Sequence, residues 1–395
     1  MIPRSDIYSF EHQLENSINN IKASNIDEES KSIILDFYQD YLSQGYSPAR
    51  KIKYLTILKS ISKQLSKPFN MVTRQDIAIW VSRLEGSNYS EPTKRDYKVI
   101  LKVFFRWLKK SETYPSEVSW MRATRSKNHT LPEQLVTVEE VKQIAEQAIN
   151  PRDKAFILVL YESGCRIGEI LSLTIGNVTF DEYGSILMVN GKTGQRRVRI
   201  IASTPMLAQW IDNHPLRNHL DAPLWINLGA KNRFQPILYG AAISLLKEIA
   251  AKAGIKKRIY PHLFRHSRAT HLANHLTESQ LKQHLGWVQG SGMASIYVHL
   301  GGRDLDPALL KLNGINLNKE EQVEKFKAID CPRCKHKNSP ISKFCNSCGL
   351  ALDIKAAIEM DEAKNKADKV MAALVKEPSV LDVLLEAISK IKSGT

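Results

Sequence analysis

The 395-residue chain has no apolar run near the roughly 18 residues that a membrane-spanning helix needs. Its richest stretch, Ala155 to Tyr161, is far shorter, so no membrane partner is expected. The start, Met1-Ile2-Pro3-Arg4-Ser5-Asp6, lacks the basic-then-apolar pattern of a secretory signal, and a cytoplasmic location is expected. Cysteine is scarce: five residues cannot build a disulfide scaffold, and four of them fall in one C-terminal cluster, which points to metal instead. Glycine (19) and proline (16) are sparse, which disfavours collagen-like and turn-dominated all-β architectures. With 43% hydrophobic and 25% charged residues, a mainly disordered chain is excluded, and the length suits two or three domains.

What the chain has in excess is positive charge, a formal +15 with a pI near 9.4. Such an excess suits an anionic partner, nucleic acid first. The charge is localised: residues 1–41 hold 3 basic and 8 acidic side chains, whereas residues 42–130 hold 18 basic and 6 acidic. That basic region reads as a compact set of helices. Apolar residues recur at helical spacing from Ile33 to Leu42. A second helix opens at Ser47-Pro48, a third at Thr73 with Asp76, and a fourth carries Tyr97, Leu101, Phe104, Trp107 and Leu108. Singly, a lysine on such a helix belongs to a solvated face. Collectively, Arg50, Lys51, Lys53, Lys94, Arg95 and Lys98, with Arg122 and Arg125 in the following segment, are the candidate DNA contacts.

These features divide the chain into an acidic N-terminal segment (1–28), a helical domain (29–112), a linker (113–130), a second domain (131–314), a cysteine cluster (328–352) and a helical tail (353–395). The second domain starts with a capping box at Thr137 and is mostly helical. One β-hairpin is predicted, with runs at 185–189 and 197–201 flanking a turn that presents Lys192. Further helices are predicted at 241–253, 262–272 and 277–285. The fold class is mainly α with a small β-hairpin or sheet. In the tail, Val370, Met371, Leu374, Leu381, Leu384, Leu385 and Ile388 keep helical spacing, fitting either a neighbouring subunit or this chain's own surface.

Cys331-x-x-Cys334 and Cys345-x-x-Cys348 have the spacing of two zinc knuckles. Four thiolates can enclose one zinc tetrahedrally, and about 25 residues cannot form a core without such a staple. Arg333, Lys335, His336 and Lys337 make this cluster basic, which suits DNA or protein contact equally. Cys165 reads as a packed small apolar residue.

A polar constellation runs through the second domain: Arg166, Lys192, His262, Arg265 and Tyr297. Its chemistry fits phosphoryl transfer with a protein nucleophile. Two guanidiniums can grip one phosphodiester and neutralise the charge that builds in a pentavalent transition state. A lysine can protonate a departing 5′ oxygen, and a phenol can attack once its proton is taken. A phosphotyrosyl bond would preserve the energy of the broken ester, so rejoining would need no ATP. No carboxylate cluster suggests a catalytic metal.

The motifs Gly-Cys-Arg166-Ile-Gly-Glu169, Gly-Lys192-Thr-Gly, His262-Leu-Phe-Arg265-His-Ser-Arg-Ala-Thr-His, Leu285-Gly286-Trp287 and Ile-Tyr297-Val-His resemble, in order and approximate spacing, those of the tyrosine recombinases, the phage-integrase family. The resemblance covers residues 131–313, and the upstream helices are similar to that family's core-binding DNA clamp. It implies a core-binding domain, a catalytic domain, a two-domain clamp around double-stranded DNA and a tetramer on paired sites. It implies Tyr297 as nucleophile, Arg166 and Arg265 as phosphate clamps, Lys192 as leaving-group acid, His262 as a phosphate or proton partner and Glu169 as support. Many members have histidine where Trp287 stands; tryptophan can donate one hydrogen bond but cannot accept a proton. His284 and His299 read as structural. The zinc cluster behind the tyrosine resembles archaeal integrases. Competing readings are supercoil relaxation like that of type IB topoisomerases, and a DNA-binding regulator without turnover.

Overall fold

The computed structural model describes residues 7–123, 134–191, 194–300, 313 and 326–376. The chain divides into two compact units, Arg4–Leu131 and, apart from the first three residues, Pro132–Thr395.

The first unit is helical: α1 (Phe10–Lys22), α2 (Glu28–Phe37), α3 (Pro48–Leu65), α4 (Arg74–Glu85), α5 (Glu91–Leu108) and the single turn α6 (Ser116–Ser119). Local chemistry sets their starts. The Asp27 carboxylate accepts from the Ser30 N–H ahead of α2, and Thr73 and Asp76 form a reciprocal capping box at α4. Prolines occupy the first turns of α3 and α5, where their missing N–H costs nothing. The apolar stripes meet in one core around Phe37, whose ring takes Phe104 edge-on at 5.2 Å.

Three boundaries differ from the sequence expectation. The acidic segment 1–28 contains α1, whose Ile21 is buried in the same core, with Leu14 and Ile18 packed against it. Its apolar stripe is narrow and set among polar and acidic residues, so the acidic composition concealed a core helix. Val118 and Met121, expected in a linker, are also buried there. The helix expected to reach Leu42 ends at Phe37 and continues as a π-helical turn, Tyr38–Leu42.

The second unit begins with α7 (Val138–Gln147), α8 (Pro151–Ser163) and α9 (Ile167–Leu171). Next comes an antiparallel sheet, β1 (Val178–Asp181), β2 (Gly184–Gly191) and β3 (Gly194–Ile200), in that order. Helices α10 (Thr204–Asp212), α11 (Tyr239–Lys252), α12 (Pro261–Ala273), α13 (Glu278–Leu285) and α14 (Met293–Leu300) follow. Helix α8 is the hub: it is buried from Ala155 to Ser163 and packs against α7, α10 and α12. Being apolar on every side, it shows no helical stripe in the sequence. Its Glu162 carboxylate accepts from the backbone N–H groups of Ile201, Ala202 and Ser203, fixing the exit of the sheet. The expected hairpin is present in the register Leu187↔Val198 and Gly191↔Gly194. Strand β1 was not expected, because this mostly exposed edge has no alternating inward row.

The cysteine region forms a ribbon with strands β4 (Ile329–Asp330) and β5 (Lys337–Asn338), followed by α15 (Ile354–Leu374). Val370, Met371 and Leu374 are exposed on α15, while Leu381, Leu384, Leu385 and Ile388 lie outside the described residues. Among the described residues no helix is long and apolar enough to cross a membrane.

Candidate active site

Helix α8 ends at Gly164, and the chain re-enters α9 with Arg166 as its N-cap residue. Glu169, one turn on, reaches back with both oxygens. Its Oε2 accepts from the Arg166 backbone N–H at 2.9 Å, and its Oε1 accepts from Arg166 Nη1 at 2.9 Å. The same carboxylate takes Arg196 of β3, with Nη2 to Oε2 at 2.7 Å and Nη1 to Oε1 at 3.0 Å. Burial alone would raise the Glu169 pKa, but the hydrogen bond and charge of Arg196, then Arg166, outweigh it and hold the carboxyl below its usual range. Gly191 lies so close to Glu169 that a Cβ there would collide with the carboxylate.

The other half of the site comes from α12, α13 and α14. His262, Arg265 and His266 share one face of α12 by their i, i+3, i+4 spacing. Arg265 is buried, donating from Nη1 to the Gly164 carbonyl at 2.8 Å and from Nη2 to the Leu285 carbonyl at 2.7 Å. Burial and then the charge of Arg166 push its pKa down to about 10, so it remains protonated at neutral pH. Arg166 Nη2 donates to the adjacent Gly286 carbonyl at 3.2 Å. Gly286 is left-handed, φ +63°, and a Cβ there would meet the Arg196 guanidinium at 2.6 Å.

Trp287 completes this short segment. Its ring lies 5.4 Å from the Arg265 guanidinium carbon and stacks on the Tyr297 ring at 5.2 Å and 14°. Tyr297, from α14, is buried at 4% exposure. Residues 285–287 thus bring Arg166, Arg265, Trp287 and Tyr297 into one neighbourhood. His262 stands at its rim, its pKa lowered by desolvation and then by Arg265 and Arg166. Lys192 lies outside the described residues. His284 donates from Nε2 to the Ser163 carbonyl at 3.0 Å, and burial followed by the Arg268 charge lowers its pKa to about 4, so it is neutral.

Two residues of this site escaped the sequence reading. Arg196 had a usable signal: on β3 it shares the inward parity of buried Val198 and Ile200. His266, four residues after His262, had only helical spacing to recommend it. Its Nδ1 is hydrogen-bonded to the Tyr297 hydroxyl.

The candidate DNA contacts of the first unit separate by environment. Arg50 is exposed beside the Tyr46 ring (4.5 Å), Lys51 lies over Tyr38 (5.9 Å), and Arg122 is exposed. Lys53 pairs with Asp96 at 2.5 Å, and Lys98 pairs with Glu85. Arg95 is partly buried. Lys94 differs from expectation. It is buried, with Nζ donating to the Glu85 carbonyl at 2.8 Å and to Glu91 at 3.1 Å, so it ties α4 to α5. Arg125 lies outside the described residues. In the ribbon, the sulfurs of Cys331, Cys334, Cys345 and Cys348 all lie within 4.8 Å of one another, a group that could hold a metal ion.

Comparison with known proteins agrees with this architecture. The profile of the phage integrase family matches residues 134–302, and that of the phage integrase N-terminal SAM-like domain matches residues 35–112. The chain therefore pairs a SAM-like helical domain with an integrase catalytic domain. Tyrosine recombinase XerA of Pyrococcus furiosus is 28% identical over 289 residues, covering 72% of this chain and 95% of that protein. Tyrosine recombinase XerC of Natranaerobius thermophilus is 29% identical over 241 residues, covering 58% and 79%. Among solved structures, XerH recombinase bound to palindromic difH substrate has a TM-score of 0.54 at 19% identity, covering 78% of this chain and 96% of that one. A lambda integrase tetramer bound to a Holliday junction has a TM-score of 0.53 at 17% identity, covering 73% and 82%. The chain belongs to the phage integrase family, the tyrosine recombinases, and is an enzyme of site-specific DNA strand cleavage and rejoining.

Proposed function

We propose that Tyr297 is the nucleophile. Its hydroxyl oxygen would attack a backbone phosphorus of double-stranded DNA, forming a 3′-phosphotyrosyl bond while the P–O5′ bond breaks. The observation that carries this reading is the meeting of Arg166, Arg265 and Tyr297 around residues 285–287. Arg166 and Arg265 would neutralise the charge building on the non-bridging oxygens, with Glu169 holding Arg166 in place. Lys192 would protonate the departing 5′ oxygen. His262 would contact the phosphate, and Trp287 would offer its indole N–H while seating the tyrosine ring. In rejoining, a 5′ hydroxyl attacks the phosphotyrosyl phosphorus and the phenol leaves, so neither ATP nor a catalytic metal enters the cycle.

Arg50, Lys51, Lys53, Arg95, Lys98, Arg122 and Arg125 would grip DNA phosphates. A tetramer acting on paired sites in the cytoplasm is the assembly that suits this chemistry, supported by the lambda integrase tetramer on a Holliday junction. The four ribbon cysteines would hold a structural zinc. Their spacing fits the ~3.8 Å sulfur separations of a tetrahedral site with bonds of about 2.3 Å, as do the paired sulfurs at 3.5 and 3.6 Å.

The deciding experiment is denaturing electrophoresis of the protein after incubation with DNA. A covalent protein–DNA adduct is expected in the wild type and in His299→Ala, and none in Tyr297→Phe; an adduct that survives in Tyr297→Phe removes the tyrosine from its role. For the ribbon, elemental analysis is expected to find one zinc per chain, lost on Cys345→Ser.

A further inference from the structure

Tyr297 is poorly suited to attack unaided. Its hydroxyl is buried; burial raises the phenol pKa above its ordinary value near 10, and the nearby Arg265 charge offsets this only in part. A base is required, and Trp287, at the position facing the tyrosine, has no lone pair to serve. The group that does touch the hydroxyl is His266. Its Nδ1 is hydrogen-bonded to Tyr297 Oη, and the two rings lie 5.8 Å apart at 24°.

We infer that His266 is a catalytic residue, the general base that takes the proton from Tyr297 during cleavage and returns it during rejoining. The inference rests on Tyr297 being the nucleophile. In cleavage, the Oη–H bond breaks and its proton moves to Nδ1 as Oη bonds phosphorus. The 5′ oxygen departs with its electron pair and is protonated by a separate acid. In rejoining, the 5′ hydroxyl gives up its proton to that acid's conjugate base, and the leaving phenolate recovers its proton from Nδ1. This step requires the resting imidazole to carry its proton on Nε2, which leaves Nδ1 as acceptor.

The surroundings suit an acceptor. His262 and Arg265 face His266 from its own helix, Tyr297 faces it from α14, and the uncharged Trp287 ring stacks on the tyrosine. Burial first, then the charges of His262 and Arg265, lower the His266 pKa, so the imidazole is neutral at physiological pH. An incoming phosphate would then stabilise the imidazolium that forms.

The test uses the full-length chain and duplexes enriched from a random-sequence pool by covalent capture on the wild type. Adduct formation is followed at single turnover from pH 5.5 to 9.5 in the wild type, Tyr297→Phe, His266→Ala and His266→Gln. Loss of general-base catalysis should slow both His266 variants about 100- to 10,000-fold near neutral pH. Their rates should climb with pH as hydroxide takes over, and free imidazole should accelerate His266→Ala but not Tyr297→Phe. Gln keeps a hydrogen-bond acceptor without basicity, so full activity in His266→Gln would overturn the assignment and reduce His266 to a tether. So would a His266→Ala chain with the wild-type rate and pH profile. An adduct in Tyr297→Phe would instead remove the nucleophile on which the inference stands. A reading without DNA comes from ¹⁵N-histidine NMR: the Nδ1 resonance that disappears in His266→Gln should shift in Tyr297→Phe, and an unmoved resonance counts against the contact.

Discussion

Glu169 carries an unusual share of the site for a group that would touch no substrate. Both Arg166 and Arg196 depend on its oxygens, and it is 3% exposed. Replacing one member of such a buried cluster leaves the others uncompensated, which typically costs about 3–5 kcal/mol. Glu169→Gln should therefore lower stability toward that range in urea unfolding and reduce adduct formation with it. Linkage gives the sign with pH. The folded pKa of Glu169 is depressed, so its contribution is fully present above the unfolded value near 4.5 and is lost as pH falls through the lower folded value. The stability gap between wild type and Glu169→Gln should accordingly be widest near neutral pH and narrow as pH falls below 4.5, readable by urea unfolding across that range. Gly286→Ala must adopt φ +63° and intrude on Arg196; the left-handed conformation alone costs about 1–2 kcal/mol, readable as a lowered Tm with weakened catalysis.

At the level of helices and strands, the buried tie made by Lys94 distinguishes it from its neighbours. Lys94→Ala should destabilise the first unit by about 1–3 kcal/mol through the lost charged hydrogen bond from α5 to the end of α4 and the lost pairing with Glu91, with DNA affinity reduced only by that loosening. Arg50→Ala should cost only about 0.5–1 kcal/mol of stability, from its lost cation–π contact with Tyr46, and reduce the salt slope of DNA binding by about one. The contrast shows how much was legible beforehand. Capping boxes at Thr73 and Thr137 and Pro48 in a first turn are local signals, and the corresponding helices formed where they indicate. Arg166, Arg265 and Tyr297 were recognisable as ordered motifs. The reach of Arg196 across to α9 and the pairing of His266 with Tyr297 are tertiary contacts between elements, and neighbours in sequence carry no record of them. Lys94 differs from Lys98 for the same reason: both reach Glu85 at the end of α4, but Lys94 donates to its main-chain carbonyl and Lys98 to its side chain, a distinction helical spacing does not record.

Across the whole chain, the charge asymmetry sets the physics of association. The basic excess of residues 42–130 should make DNA affinity fall steeply with salt, with a slope of about −0.9 for each phosphate neutralised, measurable by fluorescence anisotropy between 50 and 200 mM salt. Part of that excess is already matched internally, as at Lys53 with Asp96 and Lys98 with Glu85, so the measured slope should fall short of the formal charge. In the ribbon, His336 and Lys337 line a cleft with Asp181, Glu182 and Asp212, so these carboxylates offset part of the ribbon's basic charge.

The three residues Leu285, Gly286 and Trp287 have a mechanical consequence. Two of their carbonyls and one ring are the common seat of both cationic clamps and the phenol, so a displacement of this one turn moves every partner together. Damage there should weaken both clamps and the nucleophile at once, and compensating changes at any single clamp should fail to restore the loss.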